Sequence, residues 1–109
     1  MLRVIDRQTI DEAARRLLDA APAGSRVILF GSYARGEADP ASDVDFLVVE
    51  PQVADPYGEM VRLREAIRPL ELFADVLVVS AEGFDKWRDT PNTVIHDVAR
   101  EGKVYERVP

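Results

Sequence analysis

The feature that most constrains this chain is a pair of small residues followed, ten residues later, by two carboxylates in alternate positions. Gly31-Ser32 directly follows the apolar run 27–30, and Asp43-Val44-Asp45 opens the next apolar run. Because successive side chains of a strand point to opposite faces, Asp43 and Asp45 can hold the same metal ion. Gly31 lets the backbone approach a ligand closely, and Ser32 offers an N–H and a hydroxyl at a helix start. The spacing therefore predicts a phosphate-binding turn beside a strand of metal ligands, as a nucleoside triphosphate with Mg²⁺ requires.

A third carboxylate, Asp75, lies within the apolar run 72–79, which is typical of a buried strand. Burying an unpaired charge is costly, so we expect Asp75 to have a partner. If its strand lies beside that of Asp43 and Asp45, the three anions raise one another's pKa unless a cation lies between them. Oxygen ligands favour Mg²⁺ or Mn²⁺, and two such ions can clamp both reacting oxygens of a phosphoryl displacement. Structural alternatives stay open: an edge-strand or strand-end carboxylate hydrogen-bonded to the backbone for Asp75, and a turn or helix cap for Asp43.

The composition limits the partners and the compartment. At 109 residues, the chain is expected to form one domain over residues 1–109. Its 14 basic and 20 acidic residues give a net charge of −6, which argues against direct nucleic-acid binding. The absence of cysteine excludes disulfides, thiolate zinc sites and a cysteine nucleophile. No apolar signal segment or membrane-spanning run is present, so we expect a cytoplasmic protein without membrane contact.

Apolar periodicity predicts three helices. The first is expected to begin at Thr9 as N-cap, with Glu12 completing a capping box, and to bury an apolar stripe made of Ile10, Ala13, Ala14, Leu17 and Leu18. The second is predicted over 57–70, with one side formed by Met60, Val61, Arg64 and Ile67. The third is expected to open at Thr90-Pro91 and to close at Gly102.

Short apolar runs predict the strands between these helices. They cover 27–30, 44–49, 72–79 and 103–107, with a turn or short helix over 32–38 and a loop over 39–42. Helices that alternate with strands indicate an α/β sandwich of one sheet and a few helices.

Several other site types are excluded or weaker. The segment 31–36 matches the first six positions of a Walker A loop, but Glu37-Ala38 stand where Lys and Ser or Thr are required. His96 is the only histidine, so no histidine cluster or Ser/His/Asp relay is expected, and a structural or surface role is favoured. Phe84 and Trp87 are expected to pack rather than to stack on a base.

These motifs resemble the minimal nucleotidyltransferases of the DNA polymerase β superfamily. The resemblance rests on segments 31–36 and 42–49, on Asp75 and on the tail 89–106. It implies an α/β (α+β) nucleotidyltransferase fold, a mixed β-sheet flanked by helices. It also implies two Mg²⁺ ions and transfer of a nucleoside monophosphate, most readily AMP from ATP, to a hydroxyl.

The resemblance also implies a role for each motif residue. Gly31 and Ser32 would bind the triphosphate, while Asp43 and Asp45 would hold both metal ions. Asp75 would hold the catalytic metal and help to deprotonate the attacking hydroxyl. Arg35 is expected either to contact a phosphate or partner, or to be a solvent-exposed arginine at a helix N-terminus.

Small members of this superfamily resemble the antitoxins of type VII toxin–antitoxin modules. The resemblance implies a hetero-oligomer with a HEPN-domain ribonuclease toxin. A tyrosine of the toxin would receive AMP, and the modified toxin would lose its activity. Two other functions stay open: a non-catalytic module that masks the toxin by contact, and a transferase for a small molecule such as an aminoglycoside. No residue identifies the nucleotide base.

Overall fold

A four-stranded mixed sheet organises residues 4–107, the part of the chain that the computed structural model describes. Its strands are β1 (Arg26–Phe30), β2 (Val44–Glu50), β3 (Ala74–Ser80) and β4 (Lys103–Glu106). They lie in the order β3-β2-β1-β4, with β2 parallel to β3 and β1 antiparallel to both β2 and β4. This arrangement confirms the predicted fold class, an α+β domain with a mixed sheet flanked by helices.

Helices cover both faces of the sheet. They are α1 (Arg7–Ala20), α2 (Ser32–Arg35), α3 (Pro56–Ile67), α4 (Ala81–Trp87) and α5 (Val94–Glu101), and a 3₁₀ turn, Arg68–Leu70, extends α3. Within residues 4–107, none of these helices has the length and apolar character needed to cross a membrane.

Helix α1 buries the apolar stripe that the sequence predicts, but it begins earlier than expected. Every residue of the stripe is buried. The N-cap is Asp6, whose carboxylate accepts a hydrogen bond from the Thr9 N–H at 2.8 Å. The predicted capping box was wrong because Asp6 already satisfies this N–H, while Glu12 instead pairs with Arg16 at 3.0 Å.

The predicted face of α3 was partly wrong. Val61 and Arg64 are exposed, whereas Leu63 and Ile67 are buried against the sheet. Asp55 caps this helix by accepting a hydrogen bond from the Gly58 N–H at 3.1 Å. Leu63 and Ile67, an i, i+4 pair, form the face that packs in the core. The sequence favoured a different face because Val61, which is apolar, is exposed.

The segment between β3 and β4 forms two helices where the sequence predicted one. Helix α4 was not predicted, and α5 begins at Val94 with Thr93 as its N-cap rather than at Pro91. Asn92 has a φ of 66°, a left-handed conformation that a helix cannot continue through. Gly102 ends α5, as predicted.

The topology brings three segments to one end of the sheet. Because β2 and β3 are parallel, both begin at this end, and the antiparallel β1 finishes there. Strand β2 is central and apolar on both faces: Phe46 and Val48 pack in the core beneath α1 and α3, while Leu47 and Val49 pack against α4 and α5. This buried strand gives the residues at its exposed end a rigid support.

Candidate active site

A sharp turn carries the chain from β1 into α2 at Gly31. This residue has φ 76° and ψ −156°, a conformation that is essentially restricted to glycine. Its carbonyl accepts hydrogen bonds from Ala34 and Arg35 at 3.0 and 3.1 Å, which closes the turn. A Cβ at Gly31 would overlap the Asp45 carboxylate oxygen Oδ2. Glycine is therefore required both by the backbone conformation and by the close approach of Asp45.

Asp45 and Asp75 are direct neighbours across the parallel pair of strands. They are partners in the register of β2 and β3, and Asp43 lies one residue before β2. The structure thus brings together Gly31, Asp45 and Asp75, which the sequence predicted to share one site. Asp43 and Asp75 are exposed and Asp45 is partly buried.

The electrostatics of Asp45 indicate that the three carboxylates act on one another. Burial raises the pKa of Asp45, and the charges of Asp75 and Asp43 raise it further. The Arg35 charge opposes these effects by favouring the ionised carboxylate. A cation at this end of the sheet would relieve the repulsion among the three aspartates.

Asp75 is not the buried charge that the sequence indicated. It is the second residue of β3, an edge strand, and its side chain is exposed. The expected burial penalty therefore does not arise. The position of Asp75 near a strand end agrees with the structural alternative, and its register with Asp45 places it beside the other carboxylates.

The donor chemistry of these aspartates suits Mg²⁺, which prefers carboxylate oxygen and retains several waters. In the arrangement described for residues 4–107, however, no three Asp, Glu, His or Cys side chains are gathered as a ready-made metal site. The side-chain type and the closeness of Asp43, Asp45 and Asp75 therefore suit Mg²⁺, but their arrangement does not form a complete set of metal ligands.

Arg35 is the last residue of α2, not a residue at a helix N-terminus. Its Nη1 donates to Glu101 Oε1 of α5 at 3.0 Å, and its Nε lies 3.5 Å from Glu37 Oε1. The side chain is 41% exposed, so it remains accessible while Glu101 orients it. Sequence reasoning missed Glu101, although this residue lies within the family-like tail.

The remaining candidates have structural surroundings. Phe84 is buried in the core, as expected for a packing residue, whereas Trp87 is 44% exposed and lies under the Lys86 ammonium. The His96 side chain is largely buried in α5, and its backbone N–H donates to the Thr93 cap at 3.1 Å.

Comparisons with known proteins converge on one family. Residues 10–106 match the family model described as a nucleotidyltransferase domain. The bifunctional uridylyltransferase/uridylyl-removing enzyme of Bordetella pertussis is 46% identical over 48 residues, which are 42% of this chain and 6% of that protein. The enzyme of the same name from Bordetella avium is 43% identical over 51 residues, 45% of this chain and 6% of its own length. The chain thus spans a small fraction of the curated relatives that it matches.

Two solved structures share the fold. A protein from Sulfolobus solfataricus, assigned as a nucleotidyltransferase, aligns with a TM-score of 0.63 and 20% identity over 92% of this chain and 79% of its own. A chain from a crystal structure of a toxin–antitoxin with AMP-PNP aligns with a TM-score of 0.63 and 21% identity over 94% of this chain and 75% of its own. With a family match over nearly its whole length and the Gly31, Asp45 and Asp75 neighbourhood in place, this chain belongs to the nucleotidyltransferase domain family.

Proposed function

We propose that this chain transfers AMP from ATP to a tyrosine hydroxyl of a HEPN-domain ribonuclease toxin, and that it acts as the antitoxin of that toxin. One observation carries the catalytic part of the proposal. Asp45 and Asp75 are register neighbours, and the backbone of Gly31 lies against the Asp45 carboxylate. The closeness of this turn, which would suit a phosphate, to carboxylates that would suit a metal ion supports the proposal.

The chain's own residues divide the work of phosphoryl transfer. Gly31 and Ser32 bind the triphosphate through backbone N–H groups and the Ser32 hydroxyl, and Arg35 contributes a positive charge at the end of the same turn. Asp43, Asp45 and Asp75 would hold the Mg²⁺ ions, which when bound neutralise charge on the phosphate oxygens.

The acceptor hydroxyl is activated at the exposed side of the site. Asp75 takes the proton of the hydroxyl as its oxygen forms a bond to the α-phosphorus of the nucleotide. The bond from that phosphorus to the bridging oxygen breaks, and pyrophosphate leaves. The exposure of Asp75 supports this role, because a protein side chain can approach it from solvent.

The toxin partner is supported by the fold similarity to a chain of a toxin–antitoxin structure that also contains AMP-PNP. An AMP group on a tyrosine adds bulk and negative charge, which would repel RNA at a ribonuclease site. Contact alone and transfer to a small molecule remain the competing functions.

The nucleotide has a second candidate because of a specific observation. The Bordetella relatives with 46% and 43% identity over the matched segments are named uridylyltransferases. UMP transfer from UTP is therefore the alternative to AMP transfer at the same site.

The test is intact-mass spectrometry of a candidate HEPN-domain toxin, after incubation with the chain, Mg²⁺ and either ATP or UTP. We expect a gain of one or more AMP units with ATP, located on tyrosine by fragmentation. A gain only with UTP would replace AMP by UMP in the proposal.

The matched variants are Asp45→Asn, which removes one charge at the site, and Asp89→Asn, which removes one from an exposed turn far along the chain. Transfer should be lost in the first and retained in the second. If the toxin is neutralised in a stable complex without any mass gain, the contact model is correct. Turnover of a free small acceptor without the toxin would instead support the small-molecule transferase.

A further inference from the structure

Two aromatic side chains, Tyr57 on α3 and Phe73 directly before β3, are each 76% exposed, more than any other large apolar side chain of residues 4–107. Val61 follows Tyr57 by one helical turn and is 48% exposed. The opposite side of α3, formed by Leu63 and Ile67, packs in the core. A continuous exposed apolar patch marks an interaction site, whereas apolar residues that are scattered singly do not.

An open groove joins these exposed residues. It encloses about 510 Å³ between the end of α3 and the start of β3, and its lining includes Arg64, Arg68 and Phe73. Arg64 and Arg68 lie three and seven positions after Val61, on the same side of the helix. The exposed side of α3, which begins at Tyr57, therefore continues through the groove to Phe73. We call these five residues the docking face.

The docking face ends beside the proposed active site. The Phe73 carbonyl accepts a hydrogen bond from the Val44 N–H at 3.0 Å, so residue 73 continues the pairing of β3 with β2 by one position. Phe73 lies two residues before Asp75, a Cα separation of about 6.6 Å in extended backbone. Asp75 is exposed on β3, whose outer edge pairs with no other strand of the described residues. A protein that brings a hydroxyl to Asp75 from this edge therefore also brings its neighbouring residues close to Phe73.

The charges in the groove are balanced, because two arginines and two glutamates line it. Arg68 lies 3.4 Å from Glu65, whereas Arg64 forms no ion pair with any residue of the described range 4–107. A highly charged ligand such as a nucleotide gains little from balanced charges. A protein surface that combines apolar side chains with a carboxylate opposite Arg64 is complementary to the docking face.

We propose that the docking face binds the protein that carries the acceptor tyrosine, through an apolar surface of that protein next to the tyrosine. This rests on the proposed function, because the partner is the acceptor of that transfer. Phe73 and Val61 pack on apolar residues of the partner, Tyr57 extends the contact along α3, and Arg64 pairs with a carboxylate. Binding here brings the tyrosine hydroxyl toward Asp75, so the docking face determines which protein is modified.

The first measurement is the affinity of the chain for the candidate HEPN-domain toxin by isothermal titration calorimetry without nucleotide, so that it does not depend on transfer. Phe73→Ala should weaken binding about tenfold and Val61→Ala about threefold, because both lose apolar contact with the toxin. Phe73→Tyr, which keeps the ring, should bind like the unaltered chain. The matched control is Val104→Ala, since Val104 is 49% exposed but lies on β4, at the opposite edge of the sheet. It should leave the affinity unchanged.

Two further measurements separate docking from a general loss of activity. In steady-state transfer, Phe73→Ala should raise the KM for the toxin about tenfold and leave kcat and the KM for ATP unchanged. Arg64→Gln should reduce the salt dependence of toxin binding, whereas Arg100→Gln, an exposed position of α5 on the other face of the sheet, should not. A raised KM for ATP with an unchanged KM for the toxin would place Phe73 against the nucleotide and overturn the proposal.

The outcomes bear separately on docking and on transfer. Equal binding of the toxin by Phe73→Ala, Val61→Ala and the unaltered chain would overturn the docking face, even where AMP is transferred. Weakened binding by both variants without any mass gain on the toxin would retain the docking face and contradict transfer. Dimers of the unaltered chain that Phe73→Ala converts to monomers, measured by light scattering, would assign the face to a second copy and overturn the proposal. An unaltered chain that does not bind the toxin would also overturn it.

Discussion

The two ends of β2 carry carboxyl groups that face opposite electrostatic problems. Asp45 lies at the open end, where Asp75 and Asp43 add like charge and Arg35 supplies a nearby positive charge. Glu50 lies at the closed end, where burial and Glu59 favour its protonated form. The carboxylates at the first end lie near solvent, so a cation can enter and relieve the repulsion among them. At the second end, a proton on Glu50 relieves the repulsion with Glu59. The same strand therefore carries one carboxyl group that favours a nearby cation and one that favours its neutral form.

The largest expected effect is the loss of transfer when Asp45, at the open end of β2, is replaced. Asp45→Asn should lower transfer about a thousandfold, because Asp45 is proposed to hold a metal ion that would supply several kcal/mol of transition-state stabilisation. The thermal stability of the variant should not fall, since the raised pKa of Asp45 shows that its charge is disfavoured in the fold. Transfer rates and thermal melts of the variant and of Asp89→Asn would measure both. A melt well below that of the unaltered chain would show that Asp45 is structural.

The next effect concerns the turn against which Asp45 lies. Gly31→Ala should cost about 1–3 kcal/mol of stability and displace the Asp45 carboxylate, so transfer should fall by about tenfold or more. Gly36→Ala is the comparison, because Gly36 also has a positive φ, 74°, in the left-handed region where strain is milder than at Gly31, and a Cβ there contacts nothing within 4 Å. Similar losses of activity in both variants would show that backbone strain, rather than overlap with Asp45, is responsible.

A smaller effect sharpens the contrast at the closed end. Because the folded-state pKa of Glu50 is about 7, above its ordinary 4.5, the folded chain binds the extra proton and its stability should fall as pH rises between these values. Glu50→Gln should flatten this fall in stability, which we expect to be about 1–2 kcal/mol after allowance for partial screening by solvent.

Urea unfolding of both proteins across that pH range measures the difference. Glu59 has the opposite dependence: its pKa, lowered to about 2 mainly by its hydrogen bond to Arg62, gives stability that is lost as pH falls below 4.5. Parallel stability curves for Glu50→Gln and the unaltered chain would contradict the assignment to Glu50 of the fall in stability between pH 4.5 and about 7.

The smallest effect tests the support of the open end. Glu101→Gln should raise the KM for the nucleotide about two- to fivefold with kcat nearly unchanged, because Arg35 loses the group that orients it. Stability should change by less than about 1 kcal/mol, as expected for an exposed ion pair. Steady-state kinetics of Glu37→Gln, which removes the longer contact to Arg35, provide the control. A fall in kcat at constant KM would place Glu101 in another role.

Much of the arrangement at the open end of β2 could be predicted from the sequence. Apolar runs located the strands, and the period of two put Asp43 and Asp45 on one side of β2. Given that β2 pairs with β3, this was enough to predict that Asp75 lies near them. The edge position of Asp75 was only one of two alternatives, because whether a strand lies at an edge depends on the order of all strands. Arg35 and Glu101 are 66 residues apart, and no local pattern connects them.

The closed end was largely hidden from the sequence. Glu50 resembled the polar end of a strand, because neither its burial nor its hydrogen bond with Glu59 follows from a local pattern. The face of α3 was misassigned because Val61 is apolar yet exposed. Helix α4 was missed because Gly83 weakens a short pattern that Ser80 nevertheless caps, at 3.0 Å from its hydroxyl to the Gly83 N–H.

The parallel pairing of Asp45 with Asp75 has a consequence for how the chain acquires activity. The two residues become neighbours only after residues 51–73 have crossed over the sheet and α3 has packed, a non-local step that closes a long loop. The turn at Gly31 and the hairpin of β1 and β2 involve closer residues and can form first. During synthesis, a nascent chain that ends before β3 would thus have the turn at Gly31 but would lack Asp75 beside Asp45. The transfer proposed for this site would therefore begin only when the edge strand joins the sheet.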